Sequence, residues 1–292
     1  MTGTLDDARP LPVILKPLPD ELLSSWLSRH AAFYGMKRGE FVRFLLSYSP
    51  PRPRAIDLDL TPSAAGRLGF FFRRDSNQIR QMTHGDLARA ARSFVAAEAI
   101  QVCSACQPSS PNLAEPSATQ RCSQRGWRIT CPVCRSKLSP LIASGNDGRQ
   151  AVGVEPRLWN EAVEGERALD QFLSANEETA TAAVAAFRML LVPRPRRPAI
   201  DPERNCRLHA VDALLPNDDM VDGFDDASVQ WANRAIPPLQ ARPRLLAGFR
   251  RLLEKPRPRF HILRSVTLGN YRLRLEMLGQ QATPILGPLW FS

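Results

Sequence analysis

Hydrophobic and polar positions first fall into a helical rhythm at residues 20–35. In "DELLSSWLSRHAAFYG", Leu22, Leu23, Trp26, Leu27, Ala31 and Tyr34 recur at three- and four-residue spacing and make one apolar stripe. Asp20 after Pro19 predicts an N-cap, and Gly35 a C-terminal stop. His30 shares the apolar face and reads as a core or edge residue. "RGEFVRFLLSYS" repeats the rhythm, with Phe41, Phe44, Leu45 and Tyr48 on one side and Pro50 and Pro51 closing it. "PRPRAIDLDL" breaks it. There Ile56, Leu58 and Leu60 alternate with Asp57 and Asp59, which predicts an extended connector with its carboxylates in solvent. "TPSAAGRLGFFFRRD" and "SNQIRQMTHGDLARAARSFVAAEA" predict two more helices, the second capped by Ser76. Phe70, Phe71, Phe72 and Phe94 are assigned to the core.

Between residues 101 and 140 the periodicity vanishes and Cys, Ser, Pro and Gly dominate. A loop-rich module of this kind buries too little apolar area to hold itself and needs a metal. Amphipathic helices return in "EPRLWNEAVEGERALDQFLSA" and "ETATAAVAAFRMLLVPRP". "PRPRRPAIDP" reads as an extended linker. Beyond it come an acidic stretch, "NDDMVDGFDD", a helical segment, "PRLLAGFRRLLEK", and an end that is helical or mixed. The expected fold class is therefore mainly α. A helical N-terminal region (1–100) is followed by a ribbon-like zinc-finger module (101–142) and a helical segment (143–192). A Pro/Arg linker (193–202) then leads to a basic C-terminal domain (203–292), for which a helix-turn-helix is one reading.

Composition narrows the partners. Lys and Arg number 39 against 29 Asp and Glu, a net charge of +10 in 292 residues, carried almost wholly by arginine. Such a balance favours acidic partners, nucleic acid before anionic membrane, although a coding bias toward Arg and Ala produces the same excess. The beginning, "MTGTLDDARPLPVILKPLPDE", has early acidic residues and no apolar core of signal-peptide length, so a cytoplasmic protein is expected. No run approaches ~18 consecutive apolar residues, so no membrane span is expected. In a reducing cytosol, clustered cysteines are metal ligands sooner than disulfides.

Cys103 and Cys106 form one C-x-x-C knuckle, and Cys131 and Cys134 in "CPVC" another. Two such knuckles can complete a tetrahedron of thiolates around one zinc ion. A thioredoxin-type redox pair lacks its βαβ setting here, and ferredoxin spacings do not match. Cys122 is a fifth thiol nearby and leaves the choice of the four ligands open, while Cys206 reads as a buried small apolar residue. Four thiolates close the shell, and no carboxylate sits beside either knuckle (Glu115 and Asp147 are nearest), so the zinc is structural. Nucleotide-binding and nucleophile-elbow motifs are missing as well, and no catalytic residue is expected.

Three short stretches resemble the TniQ family of transposition target-selection proteins. "LPDELLSSWLSRHAAFYGM" is similar to the family's opening at Pro19, Glu21, Ser25, Trp26, Leu27, Arg29 and Gly35. "IRQMT" (Ile79 to Thr83) resembles the segment before the family's zinc finger. "WRITCPVCRSKL" resembles its hallmark at Trp127, Cys131, Pro132, Cys134 and Leu138, with Cys134 standing where the family usually has His. The likeness spans about residues 12 to 142. It implies a non-enzymatic adaptor that recognises target DNA, or a DNA-bound complex, and recruits an AAA+ ATPase and the transposase. Monomer and homodimer stay open.

The expected DNA contacts are Arg121, Arg125, Arg128, Arg135 and Lys137 around the second knuckle. A C-terminal set joins them: Arg242, Arg244, Arg250, Arg251, Arg257, Arg259 and Arg264. Trp127 is expected to pack under the knuckle. Two other readings remain, a zinc-containing DNA-binding transcription regulator and a protein-interaction scaffold that never meets nucleic acid.

Overall fold

In this computed structural model the described residues are 9–47, 53–106, 118–141, 155–192, 214, 236–237, 239–267 and 269–289. Among them the chain is mainly helical, as its periodicity predicts. The helices are α1 (Leu23–Phe33), α2 (Arg38–Leu46), α3 (Pro53–Leu58), α4 (Pro62–Phe72), α5 (Ser76–Gln81), α6 (Pro156–Leu173), α7 (Glu177–Met189), α8 (Arg242–Glu254), α9 (Pro256–Val266) and α10 (Gly269–Leu286). Two short strands, β1 (Gln101–Val102) and β2 (Ser139–Pro140), pair antiparallel with Gln101 opposite Pro140. The 193–202 linker, the acidic stretch and Cys206 lie outside the described residues.

Two compact units share the chain, and they alternate along the sequence. The first takes the residues up to Asp86, then Ala97–Gln124 and Cys131–Leu141. The second takes Leu87–Ala96, Arg125–Thr130 and everything from Ile142 onward. The cysteine module thus groups with the N-terminal helices, and the stretch Arg125–Thr130, which carries Trp127, is counted in the second unit.

The first unit is built on the stripe of α1. Leu23, Trp26, Leu27 and Ala31 are buried against Phe41, Leu45, Leu68, Phe71, Phe72 and Ile79. Gly35 stops α1 with φ 65, a conformation that costs a side-chain-bearing residue about 1–2 kcal/mol. His30 is a core residue. Its Nδ1–H donates to the Trp26 carbonyl (2.9 Å), and its Nε2 accepts the Leu15 N–H (2.9 Å). Burial pulls its pKa below the usual 6.5.

Several expectations are corrected here. Asp20 does not cap α1. It sits in the left-handed region (φ 57), and Leu22 is the N-cap residue, with no side-chain bond. "PRPRAIDLDL" contains a helix, α3, because Pro53 can open one and apolar alternation over five residues fits either element. Asp57 is buried, accepts the Ser24 N–H (2.9 Å), and has its pKa raised by that burial. The stretch from 76 onward is not one helix: α5 is capped by Asp75 rather than Ser76, and a separate 3-10 turn covers Ala90–Phe94. Phe44 and Phe70 are exposed, while Phe71, Phe72 and Phe94 are core.

In the second unit α6 packs on α8 at a glycine. A Cβ added at Gly165 would lie 2.0 Å from the Leu246 carbonyl oxygen, so only glycine permits this approach. Phe187 meets Phe94 (5.5 Å between ring centroids) and Phe249 (6.2 Å), joining α7, the 3-10 turn and α8. Lys255 alone separates α8 from α9, tighter than the ~3–4-residue turn of a helix-turn-helix.

Candidate metal centre and basic surfaces

β1 runs directly into Cys103, and its pairing with β2 brings back the strand that follows Cys134. The second knuckle is closed by its own backbone. The Arg135 N–H donates to the Cys131 carbonyl (3.0 Å), and the Cys131 N–H donates to the Ser136 carbonyl (2.9 Å). That tight reversal puts Arg135 at φ 65. The ligand atoms of Cys103, Cys106, Cys131 and Cys134 all lie within 4.8 Å of one another. Cys103 Sγ is 3.4 Å from Cys134 Sγ, and Cys106 Sγ is 3.8 Å from Cys131 Sγ. A tetrahedral ion with Zn–S near ~2.3 Å needs sulfurs about 3.8 Å apart, so these residues fit a zinc ion.

Electrostatics agree with the fit. Burial first, then the neighbouring thiols, push the Cys103 thiol up, and the neighbouring thiols with burial push up Cys106. The Ser136 hydroxyl and N–H, with smaller help from Cys106 and Cys103, lower Cys134 to about 6. The obstructed ionisation of Cys103 and Cys106 is what a dication would relieve.

Cys122 stays out of the cluster of four. It is buried beside Cys103, Cys131 and Leu138 as a small apolar residue, with its Sγ 3.8 Å from Gln120 Oε1.

The expected arginines divide. Arg121 is tied down: its Nε donates to Asp20 Oδ1 (2.9 Å), its Nη1 to the Thr83 carbonyl (3.2 Å), and Asp86 lies 3.7 Å away. Arg125 and Arg128 are buried and turn inward. Arg125 lies over the Trp127 ring (5.6 Å) and 3.7 Å from Asp170, while Arg128 pairs with Asp170 and approaches Glu166 (3.6 Å). Neither has a face to offer a phosphate, so that expectation is withdrawn for both. Arg135 and Lys137 are exposed.

Trp127, expected under the knuckle, meets Phe94 (6.5 Å) and donates its indole N–H to Asp170 (3.2 Å) in the second unit. Sequence reasoning missed Glu166, the buried centre of this region. Its carboxylate accepts the N–H groups of Ile129 (3.1 Å) and Thr130 (3.2 Å) and the Thr130 hydroxyl (2.6 Å). Burial raises its pKa while Arg128 opposes the rise. Arg242, expected at the surface, is buried too, donating to the carbonyls of Pro237 and Arg128 (2.9 Å each). Gly165, a glycine inside a helix just before Glu166, was the available signal of close packing.

The remaining C-terminal cations are largely matched by acids. Arg250 bonds Glu164 (3.2 Å) and Glu254 (3.0 Å), and Arg251 bonds Glu161 (2.7 Å). Arg264 bonds Glu276 (2.9 Å), Arg244 and Arg259 are half-buried, and exposed Arg257 donates to the Pro288 carbonyl (2.8 Å).

The motif residues at the N-terminus are architectural. Buried Glu21 accepts from Leu18 N–H (2.9 Å), Ser25 Oγ (3.2 Å) and Arg29 (2.8 Å), and Ser25 Oγ accepts the Thr119 N–H (2.9 Å). Met82 and Thr83 of "IRQMT" are buried, and the Met82 carbonyl receives the Leu23 N–H (2.8 Å).

The described residues are mainly helical, and four converging thiols give them a candidate metal knuckle pair. The family model TniQ matches residues 12–160, just over half of the chain. The chain belongs to the TniQ family, a non-catalytic accessory family of transposition, and is thus a transposition-associated protein. Neither a curated protein nor a solved structure matches it significantly. Among the described residues no helix is long and apolar enough to cross a membrane.

Proposed function

We propose that the chain is a cytoplasmic DNA-targeting adaptor in transposition, which binds target DNA or a DNA-bound complex and recruits an AAA+ regulator and the transposase. The observation that carries this reading is the four-thiol cluster inside the family-matched residues, with exposed Arg135 and Lys137 on its second knuckle. Zinc held by Cys103, Cys106, Cys131 and Cys134 supplies folding energy and leaves no open position for catalysis. Arg135 and Lys137 contact phosphates, with Arg257 and the partly matched Arg250, Arg251 and Arg259 as a second basic surface.

A salt titration of labelled random duplex tests it. Phosphate binding should weaken steeply with salt, and Arg135→Glu with Lys137→Glu should flatten the log–log slope by about 2. No salt-dependent binding at all would sink the DNA reading. That outcome would favour the scaffold alternative, which the acid-matched C-terminal arginines support. Retention of a purified AAA+ ATPase and transposase from the same element distinguishes the adaptor from a transcription regulator.

A further inference from the structure

The strap at residues 10–15 crosses α1 and α4, and three of its N–H groups are used. Leu11 N–H donates to the Phe71 carbonyl (2.9 Å), Val13 N–H to the Tyr34 hydroxyl (3.0 Å) and Leu15 N–H to His30 (2.9 Å); Pro10 and Pro12 have no N–H. Beside it opens a cavity of about 430 Å³ lined by Arg9, Leu11, Pro12, Phe44, Arg67 and Phe71. Large apolar side chains stand exposed on both sides of it: Phe44 (55%) and Phe70 (43%) next to Phe71, and Val13 (45%) and Phe33 (53%) at the other end. The chain of contacts is continuous. Phe44 and Phe70 each lie 5.6 Å from Phe71, Val13 follows Pro12 along the strap and bonds Tyr34, and Tyr34 meets Phe33 (5.1 Å).

We propose that this cavity and stripe form a docking site for a protein partner, taking a segment with a bulky apolar anchor beside an aspartate or glutamate. Charge complementarity selects that chemistry. Both charged lining residues are cations, and among the described residues no carboxylate lines the cavity, although Glu40 stands one turn before Phe44 on α2. The Arg67 Nε and Nη2 are occupied by the Leu45 carbonyl (2.7 Å) and the Ser47 hydroxyl (2.5 Å), which fixes the guanidinium at the rim. An apolar floor under a cationic rim suits a carboxylate set beside an anchor. Single contiguous patches of this kind mark protein interaction sites. With three strap N–H groups already used and the exposed surface made of side chains, recognition runs through side chains, as when an amphipathic segment fills a groove. A nucleic-acid strand would need cations spaced along its phosphates, whereas here the long dimension is apolar.

The site rests on the adaptor reading only in giving that adaptor a protein-binding face. The test is selection of phage-displayed random peptides on the whole chain, followed by affinity measurement of the enriched peptides by fluorescence anisotropy. Enriched sequences should pair an aromatic or aliphatic anchor with Asp or Glu. They should lose about tenfold or more in affinity to Phe44→Asp and to Arg9→Glu, both exposed positions where folding tolerates the change. Duplex binding by Phe44→Asp separates this proposal from the DNA reading and should stay unchanged. No enrichment, no acidic bias, undiminished affinity for Phe44→Asp, or parallel loss of duplex binding would each overturn it.

Discussion

Residues 125–130 and the knuckle at 131–134 are neighbours in sequence, but they belong to different units and are held by different chemistry. In the first, one buried carboxylate, Glu166, collects two main-chain N–H groups and a hydroxyl, with Arg128 close by. In the second, four sulfurs converge within 4.8 Å and offer a cation the counter-charge it needs. Both solve the same problem, an irregular backbone whose polar groups must be satisfied without a helix or sheet. A carboxylate does it by accepting hydrogen bonds, and its stability is local and always present. A thiolate cluster does it only when loaded, so its stability depends on metal.

The largest effect should come from the thiols. Wild-type protein should carry about one zinc per chain, and Cys131→Ser or Cys103→Ser should abolish it, removing up to about 10 kcal/mol of binding free energy. Hydrogen exchange should then show lost protection at 97–106 and 131–141 while α6 and α8 keep theirs. Stable, metal-free wild-type protein would break the comparison at its first term. Next is Glu166→Ala, which strands the N–H groups of Ile129 and Thr130 and a buried guanidinium. It should cost about 3–5 kcal/mol in denaturant titration and leave the zinc content unchanged. If zinc is lost as well, the two centres are not separable.

A smaller effect concerns pH. His30 accepts a hydrogen bond that only neutral imidazole can take, and burial lowers its pKa. Below about pH 6.5 the unfolded chain therefore takes up the proton first, and stability falls as pH falls. His30→Gln should flatten this acid limb, measured as the difference in unfolding free energy between pH 7 and pH 5.5; an unaltered slope would remove His30 from the account. Smallest is Arg135→Gly. Relief of the left-handed backbone should add up to about 1 kcal/mol of stability, while the salt slope of duplex binding drops by about 0.9.

The contrast also explains what could be read from the amino-acid order. The α1 stripe, the Gly35 stop and the two C-x-x-C pairs are local patterns, and local patterns survive in one dimension. Glu166 does not look special in "EAVEGERALD": its partners are 36 and 37 residues earlier, and only the fold makes them meet. Arg125 and Arg128 misled for the same reason, because a charge is assumed solvated until its carboxylate is seen. Asp57 fell to a short alternation that strand and helix share. Asp20 looked like a cap because caps are common at such positions, while its carboxylate in fact receives the Cys122 N–H (2.9 Å) and the Arg121 guanidinium, 101 residues later in the chain.

Alternation of the two units along the chain sets a limit on dissection. A fragment ending at 160, where the family match stops, would keep Trp127, Arg128 and Thr130 but lose Glu166, Asp170 and Arg242. One starting at 142 would keep those acids with nothing to receive, and would lack Phe94 for Phe187. No single cut yields either unit whole. A truncation series would therefore report misfolding at each endpoint, and assigning activities to parts of this protein calls for point substitutions in the intact chain.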